Sequence, residues 1–206
     1  MEIIENKIRI KLCGLTRPCD MEAVNELRPD YIGFVFTKKS SRYVSPEQAA
    51  GLRKLLCPGV SAVGVFVNEE IGRIAALLAA GVIDIVQLHG AEDESYISRL
   101  REHRDCPVIK AFRVDGEEDI EKARASTADY VLLDAGNGGT GTAFDRKLLV
   151  RMDRPYFLAG GLEADTVGEL VKRWRPYGVD VSSGIETEGV KDAEKMQRFV
   201  EAVRNV

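Results

Sequence analysis

Apolar and polar positions alternate in blocks along the whole chain. Short runs rich in β-branched and aromatic residues recur at 8–13, 30–36, 61–67, 83–88, 107–112, 129–134, 156–159 and 178–182. Each has the length of a strand, and glycine, proline or charged residues bound it. Runs such as Tyr31-Ile32-Gly33-Phe34-Val35 are nearly continuous in apolar character. A parallel sheet covered on its outer face requires that pattern, because both sides of each strand are then buried.

The segments between these runs carry the period of helices. Ser45-Pro46-Glu47-Gln48 supplies an N-cap serine, a proline at the first helical position and a capping-box glutamine. A second helix starts near Asn68-Glu69-Glu70, with Ile71, Ile74, Ala75 and Leu78 along one face. Val167, Leu170, Val171 and Trp174 mark a third, which ends before Pro176. Met196, Phe199, Val200 and Val203 give the last, within 192–206. Eight strand-then-helix units, with no composition break between them, predict an α/β fold. The expected form is a single-domain (β/α)8 TIM barrel over 1–206, with eight parallel strands and outer helices. An open doubly wound sheet would instead place a G-x-G-x-x-G loop after its first strand. Cys13-Gly14-Leu15-Thr16 stands there.

In a barrel of this kind the chemistry gathers on the loops that follow the strands. Cys13 closes the first run and Asp134 the sixth. A thiol and a carboxylic acid at strand ends suggest a base and an acid held over one substrate. Each also has a plainer reading, since free cysteine fills cores and a carboxylate caps loops. Glycines cluster after strands six, seven and eight, in Gly138-Gly139-Thr140-Gly141, Gly160-Gly161 and Ser182-Ser183-Gly184. Glycine allows close backbone approach, so amide N–H groups can face phosphate oxygens, and serine hydroxyls add donors. Three such clusters on adjacent loops point to a phosphate site. Arg42 sits in a lysine-rich loop, where a solvated charge run is the plain alternative. His89 equally fits a hydrogen-bonded structural role. Cys19, Cys57 and Cys106 lie away from strand ends and carry no functional weight.

Composition narrows the class further. The chain has 206 residues, 45% hydrophobic and 30% charged, with net charge −4, as in ordinary globular proteins. That balance argues against nucleic acid as a partner, because phosphate backbones are gripped by basic faces. The longest apolar stretch, 74–83, is too short for a membrane helix, and no signal-peptide pattern opens the chain. The four cysteines form no CxxC pair and read as reduced thiols of a cytoplasmic protein. Only His89 and His103 are available for a histidine-based metal centre, so no metal site is expected.

Taken in order, six motifs resemble the phosphoribosylanthranilate isomerase family of tryptophan biosynthesis. They are Lys11-Leu12-Cys13-Gly14-Leu15-Thr16, Ser41-Arg42-Tyr43-Val44-Ser45, Gln87-Leu88-His89-Gly90, Leu133-Asp134 with Gly138 to Gly141, Ala159-Gly160-Gly161-Leu162, and Asp180 to Glu186. The resemblance runs from about residue 8 to the C-terminal helix. It implies an Amadori rearrangement of N-(5-phosphoribosyl)anthranilate to 1-(2-carboxyphenylamino)-1-deoxyribulose 5-phosphate. Asp134 is then the general acid and Cys13 the general base. Arg42 is expected to hold the anthranilate carboxylate. Gln87 and His89 join the substrate-binding residues, and Gly139, Gly141, Gly160, Gly161, Ser182, Ser183 and Gly184 form the phosphate loops. The implied partner is a small phosphosugar, with neither nucleic acid nor membrane, and the protein is a monomer or homodimer. No step moves a hydride or splits water, so no cofactor is implied.

A thiol base needs its pKa lowered only modestly, and an acid working near neutrality needs its pKa raised. Arg146 departs from the family, which often has tryptophan after Phe144-Asp145. Two other readings compete: a different phosphosugar isomerase on the same barrel, and a phosphate-binding protein without chemistry. A first strand ending in Cys13 rather than aspartate argues against isomerases of related phosphoribosyl compounds. Having both Cys13 and Asp134 argues against a pure binding module.

Overall fold

The computed structural model describes residues 7–134 and 152–206. Eight parallel strands close on themselves in chain order: β1 (Arg9–Cys13), β2 (Tyr31–Val35), β3 (Ser61–Phe66), β4 (Ile85–Leu88), β5 (Val108–Arg113), β6 (Tyr130–Asp134), β7 (Tyr156–Ala159) and β8 (Gly178–Val181). Closure leaves the barrel with no unpaired edge strand. Seven helices cover the barrel among the described residues. They are α1 (Pro18–Leu27), α2 (Pro46–Arg53), α3 (Ile71–Ala79), α4 (Glu94–His103), α5 (Glu117–Ala125), α6 (Ala164–Trp174) and α7 (Ala193–Arg204). Each strand lies within a residue or two of the run that predicts it.

Local sequence explains the helix ends. Ser45 accepts from the Gln48 amide while the Gln48 side chain accepts from the Ser45 amide, so the capping box before α2 forms in full. Helix α3 begins at Ile71 rather than nearer Asn68, which takes a left-handed backbone at φ 51° and ends the β3 loop instead. Helix α7 buries Met196, Phe199, Val200 and Val203, the stripe expected from its spacing.

The two-residue period of the strands sorts their side chains into two cores. Ile10, Leu12, Ile32, Phe34, Leu88 and Leu133 face the helices. Val63, Ile85, Ile109, Leu132 and Phe157 fill the barrel. Phe157 stands edge-on to Tyr31, Tyr130 and Tyr177, with ring centroids 5.6, 5.9 and 5.3 Å away, and Gly178 leaves room for its ring. The barrel bottom is therefore plugged by aromatics, and polar groups concentrate at the opposite end.

Candidate active site

Parity along the strands decides which side chains reach the mouth. Lys11 and Cys13 on β1 share a face, as do Leu132 and Asp134 on β6, and Gln87 and His89 at the end of β4. Cys13 pairs in register with Gly33 on β2, and a Cβ on Gly33 would lie 2.5 Å from Cys13 Sγ. The missing side chain of Gly33 thus makes the space the thiol occupies. Asp134 ends β6 and pairs with Ala159 on β7, the residue before Gly160-Gly161. The thiol and the carboxylate consequently stand at the same rim.

Cys13 is 7% exposed, and burial pushes its pKa up, because a thiolate is costly to desolvate. Lys11 pulls it back, but by less. The protein's own groups therefore do not supply the modest lowering a thiol base needs, and position on a strand does not reveal how dry the strand end is.

Arg42 lies over Gly14, whose φ of 82° no side chain adopts readily and whose Cβ would sit 2.5 Å from Arg42 Cδ. The arginine stem is laid across the end of β1, beside Cys13, rather than extended into solvent. Its Nε and Nη2 donate to the two carboxylate oxygens of Glu186, each at 2.6 Å. Burial opposes the Glu186 charge, but Arg42 and Lys191 outweigh it and hold the carboxyl below its ordinary range. Glu186 belongs to a hairpin after β8, formed by β9 (Glu186–Thr187) and β10 (Val190–Lys191). Lys191 Nζ donates to Glu186 at 2.5 Å, to the Ser182 carbonyl at 2.9 Å and to its hydroxyl at 3.2 Å.

Ser182 Oγ in turn donates to the Cys13 carbonyl at 3.1 Å. That hydroxyl ties β8 to β1, so it is not free to serve a phosphate as expected; Ser183 beside it is exposed. The loops after β7 and β8 touch closely. A Cβ on Gly184 would overlap the Leu162 carbonyl oxygen, so only glycine lets these two loops meet. Gly160 and Gly161 have φ of 88° and 62°, and nothing lies within 4 Å of a Cβ built on Gly161. Among the described residues, this rim is lined by glycine. Gly139 and Gly141 lie outside the described residues, as does Arg146.

Gln87 is 1% exposed and sits beneath His89 rather than at the mouth, a correction to its expected contact with substrate. Its Nε2 is 2.9 Å from His89 Nδ1, and His89 Nε2 is 3.5 Å from Asp134 Oδ2. The histidine thus bridges the end of β4 to the carboxylate of β6. Lys110 on β5 fixes the loop that carries it, donating to the Gly90 carbonyl at 2.7 Å and to Glu92 at 3.1 Å.

Sequence reasoning missed Lys11, Asp180 and Lys191. Lys11 and Asp180 do carry a signal: each is a charge inside an apolar strand, at the parity of Cys13 and Ser182 respectively. Lys191 has none, because a hairpin folds it back. Among the described residues, no cluster of His, Cys, Asp and Glu is placed to hold a metal, and no helix is long and apolar enough to cross a membrane.

A family model for N-(5'phosphoribosyl)anthranilate (PRA) isomerase matches residues 10–202. The chain belongs to this isomerase family. It is 46% identical to the N-(5'-phosphoribosyl)anthranilate isomerase of Endomicrobium trichonymphae, over 96% of this chain and 99% of that protein. Among solved structures it is similar to the Thermotoga maritima phosphoribosyl anthranilate isomerase, at 38% identity and TM-score 0.86, covering 97% of this chain and 100% of the other. It is also similar, at 36% identity and TM-score 0.84 over 97% of this chain and 100% of the other, to a phosphoribosyl anthranilate isomerase in complex with reduced 1-(o-carboxyphenylamino)-1-deoxyribulose 5-phosphate.

Proposed function

We propose that this isomerase performs the Amadori rearrangement with Asp134 as general acid and Cys13 as general base. The observation that carries the reading is the meeting at one rim of four features. A thiol and a carboxylate end inward-facing strand positions, a pre-oriented arginine lies beside the thiol, and glycine loops follow β7 and β8.

Asp134 gives its proton to the furanose ring oxygen. The C1′–O4′ bond breaks, its electron pair stays on O4′, and the nitrogen lone pair forms the C1′=N iminium. The Cys13 thiolate then takes the C2′ proton. The freed C2′–H pair forms the C1′=C2′ bond, and the C=N π pair returns to nitrogen. The resulting enolamine tautomerises to the ketone. The iminium cation answers the raised thiol pKa, since positive charge beside the thiol favours thiolate in the step that needs it.

Arg42 holds the anthranilate carboxylate. With Nε and one N–H of Nη2 on Glu186, its remaining N–H groups are left for a second carboxylate, which matches guanidinium geometry. Backbone amides of the Gly160-Gly161 and Ser183-Gly184 loops receive the phosphate, with Gly139 and Gly141 from the preceding loop. His89 orients Asp134, and Gln87 orients His89. All of these residues come from one chain, so a monomer and a homodimer carry the same site. All four cysteines are free thiols, which suits the cytoplasm.

Freshly made phosphoribosylanthranilate should lose its fluorescence with chelator-treated protein. Cys13→Ser and Asp134→Asn should each cut turnover by about 10²–10⁴. Wild-type turnover in either folded variant would overturn that residue's role.

A further inference from the structure

One buried cation next to the thiol has no part in the chemistry above. Lys11 is 0% exposed and lies two residues before Cys13 on the same inward face of β1. It pairs in register with Asp180 on β8, and its Nζ donates to Asp180 Oδ1 at 2.9 Å. A lysine here is costly to bury, and a packed apolar residue of similar size would serve the barrel as well or better.

The two other buried lysines among the described residues differ from Lys11. Lys110 lies on the opposite face of its strand and spends its ammonium on Glu92 and the Leu88 and Gly90 carbonyls. Lys191 spends its own on Glu186 and Ser182. Of these three lysines, Lys11 alone shares a strand face with Cys13, two residues away, with its ammonium held by Asp180.

We propose that Lys11 is a positioning residue for Cys13, its ammonium clamped by Asp180 across the β1–β8 ladder as the fixed counter-ion of the Cys13 thiolate. This rests on the reading of Cys13 as the base. Burial opposes the charge on Lys11, but Asp180 and Cys13 outweigh it, so the ammonium stays protonated above its ordinary range. The Asp180 clamp also keeps the ammonium from shifting toward solvent when Cys13 is neutral. Among the described residues, the other charges facing the thiol are Asp180 from β8, Lys191 from β10 and Arg42 from the loop after β2. Of these cations, Lys191 and Arg42 are both committed to Glu186, which offsets their charge.

The test is the pH dependence of Cys13 alkylation by iodoacetamide, resolved from Cys19, Cys57 and Cys106 by peptide mass spectrometry. Lys11→Met strands the Asp180 charge and can prevent folding, so Lys11→Met/Asp180→Asn is measured beside it. The double variant removes the whole ion pair and leaves no orphan charge. Its alkylation inflection should move up by about one pH unit, because Lys11 shares the thiol's own face of β1 while Asp180 stands across the ladder on β8. The acid limb of kcat should move by the same amount, with turnover at neutral pH falling about tenfold per unit and KM little changed. An inflection that stays put or moves down, in a variant whose circular dichroism is native, overturns the counter-ion. An alkylation shift with no change in the kcat profile upholds the counter-ion and overturns Cys13 as base.

Discussion

Arg42 and Glu186 meet fork to fork, Nε and Nη2 each 2.6 Å from a separate carboxylate oxygen. The pair links two strand-end loops 144 residues apart in the chain, and Lys191 extends it to Ser182 and so to the Cys13 carbonyl. The arginine is therefore set before any ligand arrives. Pre-set side chains lose less conformational entropy on binding. Arg42→Lys should weaken binding of anthranilate-bearing ligands by about 1–3 kcal/mol, the scale of a charge-assisted bond. Glu186→Gln should also raise KM, by freeing the guanidinium, while leaving kcat close to wild type. Lys38→Ala and Lys39→Ala should do neither. Equal effects from all four substitutions, measured by steady-state kinetics, would show a diffuse basic patch instead.

Most of the barrel was legible because strand period, strand length and capping residues are local facts. Cys13 and Asp134 were legible for the same reason: a polar residue ending an apolar run is visible without any contact map. What stayed hidden depends on closure. The Lys11–Asp180 pair spans 169 residues, and only the pairing of β8 with β1 brings it together. Gln87 reads as a rim residue from its motif, yet strand parity and the His89 ring bury it. Ser182 likewise reads as a phosphate donor until closure of β8 onto β1 commits its hydroxyl to the Cys13 carbonyl. Glu186 lay within a motif already quoted, but nothing local says that its partner is Arg42.

The two loop glycines should fail in different ways. A Cβ on Gly184 overlaps the Leu162 carbonyl, which is backbone and cannot swing aside. Gly184→Ala should therefore separate the loops after β7 and β8, lowering stability and raising KM together. Gly161 has open space around it but a φ of 62°, so Gly161→Ala meets strain and no clash. Its cost in stability should be about 1 kcal/mol, the scale of a left-handed non-glycine residue. Inorganic phosphate should compete with substrate in wild type and compete more weakly in Gly184→Ala. Equal competition in both would place the phosphate elsewhere.

Alkaline pH should loosen the fold through Cys106. Burial, helped by Asp105, pushes this thiol from an ordinary 9.0 up to about 11. The folded state thus holds a proton that the unfolded chain gives up. Stability from this source is complete below pH 9.0 and is lost as pH rises toward about 11. Thermal melts of wild type should fall across that window, and Cys106→Ala should fall less steeply. Parallel slopes for the two proteins would show that Cys106 does not carry the effect.

The buried pair of Lys110 and Glu92 should resist replacement by apolar residues, although many buried ion pairs do not. Lys110→Met leaves the Glu92 charge uncompensated and should cost about 3–5 kcal/mol. Removing both charges, as in Lys110→Met/Glu92→Leu, relieves that charge but not the backbone. Glu92 also accepts from the amides of Asn68 at 2.6 Å and Gly90 at 2.8 Å, and Lys110 serves the Gly90 carbonyl. An apolar pair leaves all three part-buried groups without their present partners, at about 1–3 kcal/mol each where water cannot reach them. The double variant should therefore stay well below wild type in denaturant titrations. The loop they anchor carries His89, which stands 3.5 Å from Asp134, so kcat should fall along with stability. Recovery of wild-type stability in the double variant would mean that water satisfies those backbone groups. Recovery of stability without kcat would separate the anchoring of His89 from the folding of the barrel.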